Sequence, residues 1–308
     1  MSSRRVPFLL LSAFAALAAC SSDPDAPSAT TDSGLDAKVD TGKPVVEPCS
    51  EPIAERPAGS VCVKTVTGKA VDGDGAPLPP KKLVSVCGRI CYFGQTGEGG
   101  VFTATVGKFL KVSDFAVSVH GRPEYASLYE KLAAPVDDVI TVPTLVLPKL
   151  PPTGERIPMD AKGVVAAATT VTNNGVTLSF QAGTTVELDL EDVDSISKGE
   201  PGDHFRALKI ADKDQPSFVK GANVVLLYAA MPFDSKYDKK VAVSIAETAG
   251  LADGTVVEFI ALGNDFLREP FSAGKLEVVG TGKVTGGKIV TDDGQGLSTL
   301  TWLGVRKK

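Results

Sequence analysis

Histidine is almost missing. The 308 residues include two, His120 and His204, beside a single tryptophan. A Ser-His-Asp or Cys-His site would have to use one of these imidazoles, and the chain has neither a G-x-S-x-G elbow nor an H-E-x-x-H pair. His120 ends an alternating stretch, and His204 follows the turn Pro201-Gly202-Asp203. Neither neighbourhood in sequence offers both a nucleophile and an orienting group, so neither histidine is expected to be catalytic. Aromatic residues make up only 6% of the chain, few for a sugar-hydrolase cleft. Acidic residues outnumber basic ones by 37 to 32 and no basic patch forms, which excludes nucleic acid as a partner. Gly280-Thr281-Gly282-Lys283-Val284-Thr285-Gly286 has phosphate-loop glycines but lies between apparent strands, so it reads as a hairpin. No cofactor and no metal is expected.

Long apolar runs are also scarce, and the one present stands at the start. Pro7 to Ala19 would make a helix of roughly 20 Å at ~1.5 Å per residue, short of a bilayer core of about 30 Å. Arg4 and Arg5 precede it, and small residues end it, the order of an export signal over 1–19. Leu17-Ala18-Ala19-Cys20 resembles the lipobox of bacterial lipoproteins. That resemblance implies cleavage before Cys20, a diacylglycerol on its sulfur and a palmitate-type chain on the new amine, enough acyl length for stable anchoring. Ser21, where an Asp would imply retention, implies transfer to the outer membrane, facing the periplasm or the exterior. Residues 20–48 hold six acids against Lys38 and Lys43 and no aromatic, so they read as a disordered tether. As a coil it would span roughly 30 Å. Its Asp spacing does not follow a calcium loop.

With 31 Gly, 21 Pro and abundant Val and Thr, the remainder reads as short strands joined by turns. The expected class is all-β: two β-sandwich domains in tandem, 49–149 and 160–308, joined by a proline-rich linker at 150–159. Four cysteines follow Cys20, at Cys49, Cys62, Cys87 and Cys91. In an exported protein an even set reads as two disulfides, the rival being a four-thiolate zinc site of unusual spacing. Were 87–91 extended, its ends would stand about 13 Å apart at ~3.3 Å per residue. A hairpin at Gly88-Arg89-Ile90 puts them opposite each other, so the expected pairs are Cys87–Cys91 and Cys49–Cys62.

In the first domain, strands are expected over 61–71, 83–87, 91–95 and 101–106, with turns at Asp72-Gly73-Asp74-Gly75 and Thr96-Gly97-Glu98-Gly99-Gly100. Phe115, Val117 and Val119 alternate with polar or small neighbours, the period of a half-buried strand. "VTGKAVDGDGAPLPP", "VSVCGRICYFGQT" and "TGEGGVFTATV" resemble the carboxypeptidase-regulatory-like, transthyretin-like sandwich, with Gly97 where that family has Asp. The resemblance covers about 62–148, implies an architecture and carries over no active-site residue. His120, Arg122, Tyr125 and Tyr129 are the candidate binding patch, for a carboxylate or a sugar ring. The competing reading packs the tyrosines on the sandwich edge and turns His120 and Arg122 to backbone carbonyls.

In the second domain, Val186, Leu188 and Leu190 alternate with Glu187, Asp189 and Glu191, a strand with an acidic, solvated face. Val224 to Tyr228 reads as a central strand. Val241, Val243 and Ile245 form another, and Thr299 to Val305 a last one with Trp302 in the core. "GVTLSFQAGT" and "PFDSKYDKKVAVSI" are similar to the β-sandwich module of ankyrins, some relatives of which cleave themselves at His-Phe-Ser. Here Arg206 stands after His204-Phe205 in place of the serine, which disfavours cleavage. The chain therefore reads as a non-catalytic surface lipoprotein with a binding or structural role at the envelope, its partners the membrane and an envelope protein or polysaccharide. The alternative is a carboxylate-dependent hydrolase acting on envelope or extracellular polysaccharide.

Overall fold

Strand follows strand along nearly all of the chain that the structure describes, and short Gly- and Asp-containing turns reverse it. The structure, a computed structural model, describes residues 47–264 and 272–308. The expected signal segment, Cys20 and the expected tether up to residue 46 lie outside the described residues. The described chain is all-β apart from one short α-helix and a few 3-10 turns. Its sheets curve into a half-barrel and a nearly closed barrel.

The first sheet holds β1 (Val61–Val71), β2 (Leu83–Cys87), β3 (Cys91–Thr96), β4 (Val101–Leu110), β5 (Ala116–Val119), β6 (Leu128–Lys131), β7 (Val139–Thr141) and β8 (Leu145–Val146). Their order is β6-β5-β2-β3-β4-β1-β7, with β8 also beside β1. The turn after β1 closes because Asp72 Oδ1 accepts the backbone N–H of Asp74 (3.0 Å) and of Ala76 (2.8 Å). The turn before β4 needs glycine at 100: φ is +71° there, and a Cβ would lie 2.2 Å from the Ala70 carbonyl oxygen.

Both disulfides form as the spacing suggested. Cys87 and Cys91 face each other across the β2–β3 hairpin with Cα atoms 4.1 Å apart, and Cys49 meets Cys62 at 5.7 Å. Removing Cys49–Cys62, which closes the longer loop, should cost about 3 kcal/mol, and removing Cys87–Cys91 about 2 kcal/mol. Urea unfolding of the paired Cys→Ser variants checks the order of the two losses.

The second sheet has 13 strands between Glu155–Arg156 and Leu303–Lys307. Glu155–Arg156 of the proline-rich linker adds to its edge by pairing with His204–Lys209. Val224–Met231 lies inside the sheet and is buried from Leu226 onward, as its apolar run implied. One apolar core gathers Leu178, Phe205, Tyr237, Phe259 and Val305 from this sheet alone. The other is shared. It joins Val66, Phe102, Val117 and Leu128 of the first sheet to Leu227, Met231, Phe233 and Trp302 of the second.

That sharing overturns three local expectations. β5 is buried along its whole length, and Tyr129, the cross-strand partner of Ser118, meets the second sheet at Phe233 and Asp234. The strand read through 186–191 stops at Glu187, and helix α1 (Leu190–Ser197) begins. The strand read through 299–305 breaks at Thr301-Trp302. There Trp302 turns inward, donates its indole N–H to the Ser127 carbonyl (2.6 Å) and meets Phe218 edge-on at 5.3 Å.

Candidate functional site

Three acids within four residues would repel one another along a strand, but a helix start favours them. Asp189 caps α1, its side chain accepting the Glu191 backbone N–H (2.9 Å), and Glu191 and Asp192 sit in the first turn beside the helix dipole's positive end. Gly202 permits the returning chain to pack here, since a Cβ would lie 2.1 Å from the Asp192 carbonyl oxygen.

This acidic turn faces Arg122, which stands in the β5–β6 loop 67 residues earlier. Arg122 Nη1 lies 2.6 Å from Asp189 Oδ1 and 3.4 Å from Asp192 Oδ2, and Nε lies 3.5 Å from Glu191 Oε2. Its Nη2 donates to the Phe233 carbonyl (3.1 Å). Lys82 holds the loop from behind, donating to the carbonyls of Gly121 (3.3 Å) and Arg122 (2.9 Å). Beside it the Tyr129 hydroxyl donates to Asp234, whose other oxygen accepts the Asn264 amide (3.0 Å). The result is a clasp of ionisable groups between the two sheets.

The clasp is largely buried, and its charges do not balance. Arg122, Asp192, Asp234 and Arg206 stand within it or beside it, and the Asp192 side chain is only 1% exposed. Burial pushes Asp192 up to about 7, with Asp189 and Glu191 adding to the rise and Arg122 and Arg206 opposing it. Burial likewise pushes Asp234 up to about 6 against the Tyr129 hydroxyl and Arg122. Burial works against the Arg122 charge, but the surrounding carboxylates outweigh it and raise its pKa. Arg206 is lowered by burial, with Asp192 as the opposing influence. Arg122 Nε, Asp192 Oδ2 and Arg206 Nε and Nη2 are buried without a hydrogen bond among the described residues.

His120 has neighbours that its sequence did not supply. Ser85 Oγ lies 3.0 Å from Nε2, and Glu191 Oε1 lies 2.8 Å from Nδ1. The order is that of a Ser-His-carboxylate relay, assembled by the fold from residues distant in sequence. Two features separate it from a working relay. Glu191 meets the distance but not the direction of a hydrogen bond to Nδ1. Ser85 sits in the middle of β2, paired on both sides and 4% exposed, and it does not line the adjacent cleft of about 290 Å³, which His120 and Glu191 do.

Of the four patch residues, Arg122 and Tyr129 are buried in the clasp, while His120 and Tyr125 flank it at partial exposure. The Lys82 ammonium stands 5.7 Å from the centre of the Tyr125 ring. His204 opens its strand, 3.7 Å from Asp203, which also accepts from Arg156 Nε at 2.6 Å. Among the described residues no group of three or more His, Cys, Asp or Glu is placed to hold a metal. Sequence reasoning missed Ser85, Asp192, Asp234 and Asn264. The one local signal was the cap pattern Asp189-Leu190-Glu191-Asp192 hidden inside an alternating stretch. In comparison with known proteins, no family model matches the chain, and no curated protein matches it either.

Proposed function

We propose that this protein is a non-catalytic lipoprotein of the bacterial outer membrane, anchored through acylated Cys20 and acting as a binding or structural module at the cell envelope. In this reading, residues 20–48 are the tether, and two β-sandwich modules in tandem are its cargo. The first is of the carboxypeptidase-regulatory-like kind, a type that accompanies other activities. The observation that carries the reading is the use made of the ionisable side chains. Arg122, Asp189, Glu191, Asp192 and Asp234 are engaged between the sheets, and the serine of the Ser-His-carboxylate alignment is buried within β2. Partners of such a module are an envelope protein or a polysaccharide.

The test has two arms. Mass spectrometry of membrane-extracted protein should find no peptide from 1–19 and a lipid-bearing Cys20, and Cys20→Ala should leave the membrane fraction. The purified protein should hydrolyse no ester, peptide or polysaccharide in a broad panel. Turnover of any of these that is lost in a folded His120→Ala, His204→Ala variant would overturn the non-catalytic reading.

A further inference from the structure

Outside the clasp, a groove of about 460 Å³ opens at the disulfide end of the first sheet. Its volume falls within the range of small-molecule sites. The rings of Tyr92, Phe109 and Phe115 form its apolar lining together with Ile90, which is 57% exposed and unused by either core. Tyr92 and Phe115 lie 6.5 Å apart with their planes tilted by 36°. In a chain with so few aromatics, three at one groove form a concentrated apolar platform.

The walls are covalently braced. Cys49–Cys62 ties the segment carrying Glu51 and Arg56 to β1, and Cys87–Cys91 closes the hairpin carrying Ile90 and leading into Tyr92. Walls that are each braced in this way lose less entropy when a ligand enters.

The rim is cationic in a chain whose net charge is −5. Arg56, Arg89, Lys108 and Lys111 line the groove against Glu51, Glu55 and Asp114. Glu51 is engaged by Lys108 (2.9 Å) and Asp114 by Lys111 (3.1 Å), both pairs partly in water and weak enough to exchange partners. Arg56 differs from the lysines. Its guanidinium lies 3.8 Å over the Phe109 ring, and its Nε donates to the Glu51 carbonyl (2.9 Å). Its two terminal nitrogens have no hydrogen bond among the described residues. A guanidinium held over an apolar floor with its terminal nitrogens unengaged suits a carboxylate or sulfonate.

We propose that this groove binds small amphipathic anions, compounds with a ring-sized apolar body and one carboxylate or sulfonate. The apolar body lies against Tyr92, Phe115 and Ile90, and the anionic head meets Arg56. The proposal gives the binding role a chemical class but does not depend on the lipid anchor, so either can fail without the other.

The test is calorimetric titration of the full chain with 2-naphthoate, with 2-naphthylmethylammonium as the cationic counterpart. Protein that needs a membrane is measured in zwitterionic nanodiscs, with empty discs subtracted. Naphthoate should bind at one site at least about tenfold more tightly than the cation, and less tightly as salt rises. Arg56→Gln and Ile90→Asp should each weaken naphthoate at least about tenfold, with thermal unfolding unchanged because both side chains reach solvent. Should one variant unfold, the other still decides. Equal affinity for the two probes, no saturable binding at millimolar naphthoate, or unchanged affinity in a folded variant would each overturn the proposal.

Discussion

Replacing Arg122 with Met should lower the unfolding free energy at pH 7.5 by on the order of 3–5 kcal/mol, the loss that follows when one partner of a buried charge group is removed. Arg122 is among the most enclosed cations described, its side chain 4% exposed, and it faces Asp189, Glu191 and Asp192 at 2.6–3.5 Å. Met fills similar volume, so the loss measures stranded carboxylates and the orphaned Phe233 carbonyl rather than a cavity. Arg122→Lys keeps the charge but not the fork. It should recover part of the loss and no more, since one ammonium cannot serve Asp189, Asp192 and Phe233 together. Urea unfolding, followed through the buried Trp302, gives both numbers. Trp302 lies in the core that the two sheets share, so its fluorescence reports their separation. A loss below about 1 kcal/mol for Arg122→Met would mean that Trp302 and Phe233 hold the sheets together and the clasp contributes little.

The first sheet was largely legible because its signals are local. Alternation marked β1, β2, β3 and β4, Asp72-Gly73 and Gly99-Gly100 marked the turns between them, and the five-residue interval from Cys87 to Cys91 left a hairpin as the only way to join them. The clasp was not legible, for a physical reason visible at 186–191. Val186, Leu188 and Leu190 satisfy a two-residue period, but Asp189, Leu190 and Glu191 satisfy a helix start equally well. Local propensity does not choose between them. The choice is made by Arg122, whose charge draws the acids into one turn and leaves Leu190 84% exposed as the cost. The same blindness put Ser118 and His120 on a solvent face, since nothing near them in sequence announces that a second sheet will cover β5. His120 was judged by the residues beside it, whereas Ser85 and Glu191 reach it from 35 and 71 positions away.

The unfolding free energy should fall as pH rises from about 5 to about 8, opposite to the trend of proteins held by ordinary salt-bridged carboxylates. Burial holds Asp192 near 7 and Asp234 near 6 in the folded chain, both above the 3.8 usual for an aspartate. A raised acid binds its proton more tightly when folded than when unfolded. Below the unfolded value both states are protonated and the difference vanishes. Between the two values the folded state alone keeps the proton, and stability drops with each step in pH. Above the folded value both states are ionised and the full cost of burying the anion is present. For Asp192 that cost is on the order of 4 kcal/mol, at 1.36 kcal/mol per unit. The charges that face Asp192 come from three directions: Asp189 and Glu191 on its own helix turn, Arg122 from the β5–β6 loop, and Arg206 from the strand His204–Lys209. The cations moderate the rise and do not cancel it. Asp192→Asn imitates the protonated form while leaving Arg122 its contacts with Asp189 and Glu191. The variant should therefore exceed the parent in stability by the widest margin at pH 8, by a margin that narrows toward pH 5 and closes only below about pH 4, and show a flatter profile between. Asp234→Asn should flatten the lower part of the same range. Urea unfolding of the three proteins at pH 5, 6, 7 and 8 supplies the curves. A parent curve that climbs with pH, or an Asp192→Asn curve parallel to it, would show that Asp192 is an anion throughout and that Arg122 and Arg206 fully balance it.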